Sequence, residues 1–139
     1  MVGAVLVADA KPYPKSAQLA RGERRYRRKV ASPKQWQAIH AEKDGPCRVC
    51  HTFDGMDVYR EHRELHHVVS REDHGDDIAA NIVPLHPTCH GLVTQRHLPA
   101  CRELLRSLTY SEYAYMIERG GADYPERAYG VSYSRESQR

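Results

Sequence analysis

Two residue pairs with chelating spacing, Cys47-Arg-Val-Cys50 and His86-Pro-Thr-Cys89, constrain this chain more than any other feature it has. A C-x-x-C or H-x-x-C pair spans two corners of a zinc tetrahedron, so the two pairs together supply four ligands and close a structural site. Any fold that satisfies it must bring residues 47 and 89 together. A closed site has no open coordination position, which leaves His66, His67, Asn81 and His90 for other work. Four cysteines could also make two disulfides in a secreted protein. Against that, the first residues carry no basic leader, and Ala4-Val-Leu-Val7 is too short for a signal segment or a membrane span. Zinc accounts for three cysteines. Cys101 is then an odd thiol, expected to be buried and inert, and the cytoplasm is the expected compartment.

Charge is distributed unevenly. The net charge is only +3, but residues 11–43 hold ten Lys/Arg against two acidic residues, a balance of +8. Six of those basic residues, Arg21, Arg24, Arg25, Arg27, Arg28 and Lys29, fall within nine positions. From residue 44 onward eleven basic residues face fifteen acidic ones, a balance of −4. A cationic arm on a near-neutral body is the footprint of a phosphate-backbone binder, although charge runs are also common in solvated tails. The six residues are therefore the nucleic-acid-binding candidates, and DNA the expected partner.

Pattern divides the chain into a basic arm (1–32), a zinc-stapled core (33–97) and a helical extension (98–139) expected to pack on the core. Pro12, Pro14 and Gly22 interrupt any sustained apolar period in the arm. A helix is predicted over 32–43, with Ser32 as N-cap, Pro33 in the first helical position, and Trp36, Ile39 and His40 on one face. Residues 59–69 read as extended, 70–80 as a polar loop, 82–85 as a short strand, and 87–96 as a helix with His90 in its first turn. Residues 99–108 form an amphipathic helix with Cys101, Leu104, Leu105 and Leu108 at helical spacing. Thr109-x-x-Glu112 is a capping box that opens a last helix, closed by Gly120-Gly121.

The ordered set C-x-x-C, His66-His67, Gly75-x-Asp77, Asn81 and H-x-x-C-His90 resembles the HNH endonucleases over roughly residues 36–97. The likeness is to the zinc-knuckle form common among phage and bacterial proteins. It implies an α+β fold: a small ββα-metal core stapled by a structural zinc knuckle and flanked by additional helices. It also implies hydrolysis of DNA phosphodiester bonds, with His67 as general base, His66 and His90 as ligands of a catalytic divalent ion (Mg2+, Mn2+, Ni2+ or Zn2+), and Asn81 bonding main chain so that His67 stays aimed. Structural Zn2+ would sit on Cys47, Cys50, His86 and Cys89. At His86 the family usually has cysteine, and imidazole is an acceptable substitute. Many members carry a further histidine where this chain has Thr94, so two protein ligands to the catalytic ion are expected, with His97 a turn too far along.

Adjacent residues of a flat strand face opposite ways. Serving one phosphate with both His66 and His67 therefore requires the strand to twist or give way there. In a chain with nine histidines, His40, His51, His62 and His74 read as surface or packing residues. Asp77 is expected to cap or brace the loop, and Glu64 to be a surface or bracing carboxylate. The compact knuckle form resembles phage HNH proteins encoded near terminase genes, which makes DNA packaging, with terminase or another phage DNA-processing protein as partner, the leading expectation. The alternative is a catalytically silent zinc module that binds DNA or protein. A redox role for Cys101 has no other feature in its favour.

Overall fold

A computed structural model of the chain describes residues 27–52 and 63–133. Arg21, Arg24, Arg25, His62 and the beginning of the extended segment expected from residue 59 lie outside the described residues. The described elements run α1 (Pro33–Glu42), β1 (Glu64–His67), β2 (Ile82–Leu85), α2 (Pro87–Thr94), α3 (Leu98–Ser107), α4 (Tyr110–Gly120) and α5 (Tyr124–Tyr129), with 3-10 turns at Arg71–Asp73 and Ala79–Asn81. Among the described residues the fold is mixed α and β, with a small two-stranded sheet and five helices. No helix among them is long and apolar enough to cross a membrane.

Local chemistry explains most boundaries. Ser32 accepts from the Gln35 amide while the Gln35 side chain accepts from the Ser32 amide, and Pro33 fills a position whose N–H would have no partner. Only Ile39 of α1 is buried, and Trp36 instead lays its ring edge-on against His67 at 6.0 Å between centroids. At Thr109 the same reciprocal box forms with Glu112. Helix α3 buries Cys101, Leu104 and Leu105 on the expected face, with Leu108 buried just beyond its end.

Helix α5 goes beyond what the sequence pattern predicts. Its six residues are too few to show a period, but Pro125 in the first turn and Gly130 at φ 72° just past the end mark both termini.

The strands pair antiparallel, with His66 opposite Val83 and His67 opposite Ile82. All four residues of β2 are buried. Proline is tolerated in this strand because a two-stranded sheet has an outer edge on each side. At that edge the Pro84 carbonyl accepts from Arg48 N–H at 3.0 Å, joining the first chelating turn to the sheet. One apolar cluster runs from Cys47 and Val69 through Leu85 and Val93 to Leu104, Met116, Tyr124 and Tyr129, so the C-terminal helices share a core with the hairpin.

A buried carboxylate ties three segments into that arrangement. Glu112, 1% exposed, takes a bidentate pair from Arg48 at 2.7 and 2.9 Å, an ion pair from Lys43 at the end of α1, and the Thr109 amide. Burial would raise its pKa, but the Arg48 and Lys43 hydrogen bonds and the Thr109 amide more than offset this and hold it below the usual carboxylate value. Removing one partner of such a cluster leaves buried charge uncompensated. Glu112→Gln should therefore cost on the order of 3 kcal/mol in urea unfolding at neutral pH. Because the folded pKa is the lower one, this contribution is present above the unfolded carboxyl value and lost as pH falls through the folded one. The gap between wild type and Glu112→Gln should narrow accordingly in acid.

Candidate metal and active centre

Two sites flank the hairpin. In the first, the donor atoms of Cys47, Cys50, His86 and Cys89 all lie within 4.8 Å of one another. The turn that carries Cys47 and Cys50 closes with His51 at φ 65° and with the His51 amide on the Cys47 carbonyl. Cys47 Sγ accepts from the amides of Val49 and His86, each at 3.4 Å. His86 presents Nδ1 to Cys50 Sγ at 3.2 Å, and being turned that way it makes no side-chain cap on α2.

The thiols do not share one acidity. Burial raises the Cys50 thiol, but hydrogen bonds from Thr52, His86 and Cys47 bring it down to about 7. Burial, then the charges of Cys47 and Cys50, push Cys89 up to about 12. Thiolates this close repel one another unless a cation lies among them. A tetrahedral ion needs its donors roughly 3.4 to 3.8 Å apart, a spacing these four can reach, so the residues fit a structural metal.

The second site is built from histidines. His66 Nδ1 lies 3.2 Å from His90 Nε2, and the rings meet edge-on at 5.0 Å. His90 Nδ1 bonds Glu64 Oε1 at 2.8 Å, which in the neutral ring puts the proton on Nδ1 and the lone pair on Nε2. His66 is held neutral, its pKa lowered to about 3 by burial and then by His90 and His67. Two nitrogens facing each other this closely need either a hydrogen on one of them or a metal ion between them. Metal–nitrogen bonds of about 2.1 Å suit the separation.

His67 turns the other way. Its Nε2 bonds Asp77 Oδ1 at 2.8 Å, which leaves Nδ1 to act as a base. Burial depresses its pKa against the opposing pull of Asp77, so the neutral form is favoured. The pleat thus holds through the doublet: His66 faces α2 and α5, and His67 faces α1 and the loop. Beyond it the alternation fails, since Val68 and Val69 are both buried. The strand ends at His67, and both rings line one cleft of about 430 Å³ with Leu65, Ser70, Arg71, Glu72 and His90.

The loop beneath is fixed by Asn81, wholly buried. Its Oδ1 accepts from Val69 N–H at 2.8 Å, and its Nδ2 donates to the carbonyls of Val69 and Asp76 at 2.9 and 3.0 Å. Gly75 is required here by close approach, because a Cβ would stand 1.8 Å from the Val69 oxygen and 2.8 Å from Asn81 Nδ2. Asp77 serves more than His67: it accepts both guanidinium nitrogens of Arg28 and the Ala31 amide. Asp76 accepts the Lys29 amide and the Tyr115 hydroxyl.

Residues 47–96 match the model of the HNH endonuclease family. Over this segment the chain is similar to HNH endonuclease domains. No curated protein and no solved structure matches the chain.

The matched segment brings together His66, His67 and His90, and separately the four knuckle residues, in keeping with the motif order. Of the arm candidates within the described residues, Arg27 and Lys29 are exposed, while Arg28 is taken up by Asp77. His40 and His74 are exposed, His51 pairs with Glu103, and His97 is exposed at the N-cap position of α3 without a side-chain cap bond. Thr94 lines a cavity of about 310 Å³ with His66, His67 and Tyr129. Sequence reasoning misses the pairing of Asp77 with His67 and of Glu64 with His90. Only the Gly75-x-Asp77 motif hints at the first. It also misses Tyr129, whose hydroxyl contacts His66 Nε2 at 3.0 Å and whose phenol burial holds well above its usual pKa.

If the knuckle holds a structural ion, about one equivalent of zinc should survive purification, since a closed site contributes folding free energy directly. Cys47→Ser and Cys89→Ser should each yield metal-poor, protease-sensitive protein by elemental analysis and limited proteolysis. Retention of metal and fold by both variants would refute the assignment.

Proposed function

We propose that the chain hydrolyses DNA phosphodiester bonds at the cleft where β1 ends against α2. The observation that supports this most is the convergence of three histidines on one cleft with different nitrogens presented. His66 Nδ1 and His90 Nε2 face one point, and His67 offers Nδ1 because Asp77 takes Nε2. On this reading His66 and His90 hold the divalent ion. When bound, the ion supplies Lewis-acid stabilisation of the phosphate and of the leaving 3′ oxygen. His67 takes the proton from the attacking water. Asp77 keeps His67 in that tautomer and stabilises the imidazolium that results. Asn81 fixes the main chain on either side of the loop so that Asp77 and His67 stay in register. Cys47, Cys50, His86 and Cys89 carry structural zinc, which suits a reducing, cytoplasmic setting.

The basic residues before the domain supply affinity for the phosphate backbone. Arg21, Arg24, Arg25, Arg27 and Lys29 are the candidates for this role. Arg28 is a sixth by composition, and its pairing with Asp77 favours an anchoring role. Lys29 and Ala31 are bonded to Asp76 and Asp77, so the arm enters the fold directly beside His67. Truncating residues 1–26 should spare those bonds, weaken DNA binding and flatten its salt dependence. The log–log slope should fall by roughly 0.9 for each phosphate that the shortened chain no longer neutralises. An unchanged slope would make the segment a solvated tail. For biological setting, the likeness to phage HNH proteins encoded near terminase genes supports a role in DNA packaging, with terminase or another DNA-processing protein as partner.

His67→Ala should lower plasmid cleavage in Mg2+, Mn2+ or Ni2+ by about 10²- to 10⁴-fold, the usual contribution of a general base. DNA binding, zinc content and thermal stability should stay near wild type. Cleavage at the wild-type rate would sink the mechanism. A wild-type chain that binds DNA but leaves plasmid intact in all three metals would instead favour a silent zinc-binding module.

A further inference from the structure

The side of His66 turned away from His90 meets a residue from outside the matched HNH segment. Tyr129, at the end of α5 and 5% exposed, places its hydroxyl between His66 Nε2 at 3.0 Å and the main-chain carbonyl of Val68 at 2.5 Å. A phenol has one proton to give. The Val68 oxygen can only accept, so that proton goes to it, and the phenol oxygen must receive its second hydrogen bond from His66. His66 therefore carries its proton on Nε2 and its lone pair on Nδ1, the nitrogen 3.2 Å from His90 Nε2. A ring flip would set carbon atoms against both partners, so the network assigns the orientation as well as the tautomer.

We propose that Tyr129 is a positioning residue that fixes the tautomer and rotation of His66, so that the Nδ1 lone pair is aimed at the divalent ion. This rests on the reading of His66 and His90 as the ion's ligands. It makes the C-terminal helix a working part of the site. Glu64 does the corresponding task for His90, bonding Nδ1 at 2.8 Å so that Nε2 faces the same point. The two ligands thus have unlike supports: a solvent-exposed carboxylate for His90 and a buried phenol for His66. The Val68 bond gives Tyr129 a second hold on the strand, one residue beyond His67. Groups that orient a ligating histidine in this way typically change metal affinity 10- to 100-fold when removed.

The test uses the full chain with its knuckle zinc in place. Long-range proton–nitrogen NMR on the metal-free histidine site reads the His66 tautomer, and Mn2+ titration calorimetry reads affinity. Wild type should show His66 protonated on Nε2. Tyr129→Phe should redistribute the proton towards Nδ1 and weaken Mn2+ binding about 10- to 100-fold. Tyr124→Phe is the control for removal of a buried hydroxyl: its hydroxyl bonds Asp73 and Ser70, and both readouts should stay at wild type. His66→Ala should abolish Mn2+ binding outright. A wild-type His66 protonated on Nδ1 would overturn the proposal without any variant having to fold. So would a Tyr129→Phe protein with unchanged tautomer and affinity, while His66→Ala still fails to bind the metal. Wild-type Mn2+ binding by His66→Ala would instead remove the ligand reading on which the proposal stands.

Discussion

The cluster of Cys47, Cys50, His86 and Cys89 is the constraint on which the rest of the molecule leans. Two strands of four residues each cannot hold themselves together in water. Here they are closed from outside: the first chelating turn is bonded to Pro84, and the second opens α2, so an ion joining the turns would pin the C-terminal end of β2. Closing so long a segment through one set of bonds is the kind of constraint that stabilises most. The histidine doublet sits towards the opposite end of the strand pair, where His67 lies across from Ile82.

What aims them is a set of buried polar bonds rather than the sheet. Asn81 takes both the N–H and the carbonyl of Val69 and reaches Asp76 as well, a demand that only a primary amide at that point can meet. Next to it, Asp76 and Asp77 are buried acids whose bonds go to the incoming chain at Arg28, Lys29 and Ala31, and to His67 and Tyr115. Buried polar groups are costly unless fully partnered, and once partnered they specify one arrangement. The segment that leads to the basic arm and the imidazole read as the base share one carboxylate, Asp77.

Legibility from sequence follows the range of each interaction. The capping boxes at Ser32 and Thr109 and the apolar face of α3 rest on residues three or four apart, and these are readable with bounds good to a residue or two. The two chelating pairs are readable because metal ligation imposes a fixed short spacing on each half. Helix α5 is too short to carry a period. The partners of the histidines are hidden for another reason: Glu64 bonds His90 across 26 positions, and Tyr129 bonds His66 across 63. Nothing in the spacing of a glutamate or a tyrosine announces such a bond. Arg28 has a partner that composition does not reveal. Read by composition it is one more cation of the arm, and only the position of Asp77 reveals that its charge is already engaged.

The histidine doublet shows how environment divides labour between identical side chains. His66 is packed among His90, Tyr129 and the strand, and burial there drives its pKa to about 3. A ring so reluctant to accept a proton is a poor base, yet its lone pair remains a good metal ligand. His67 is depressed as well, but the hydrogen bond to Asp77 and that residue's charge oppose the shift and favour a proton once one arrives. It therefore starts neutral and is supported when charged, which is what a general base needs. The same side chain, written twice in succession, suits a ligand on one face of the strand and a base on the other. The neighbours that make the difference, Tyr129 and Asp77, come from opposite ends of the fold.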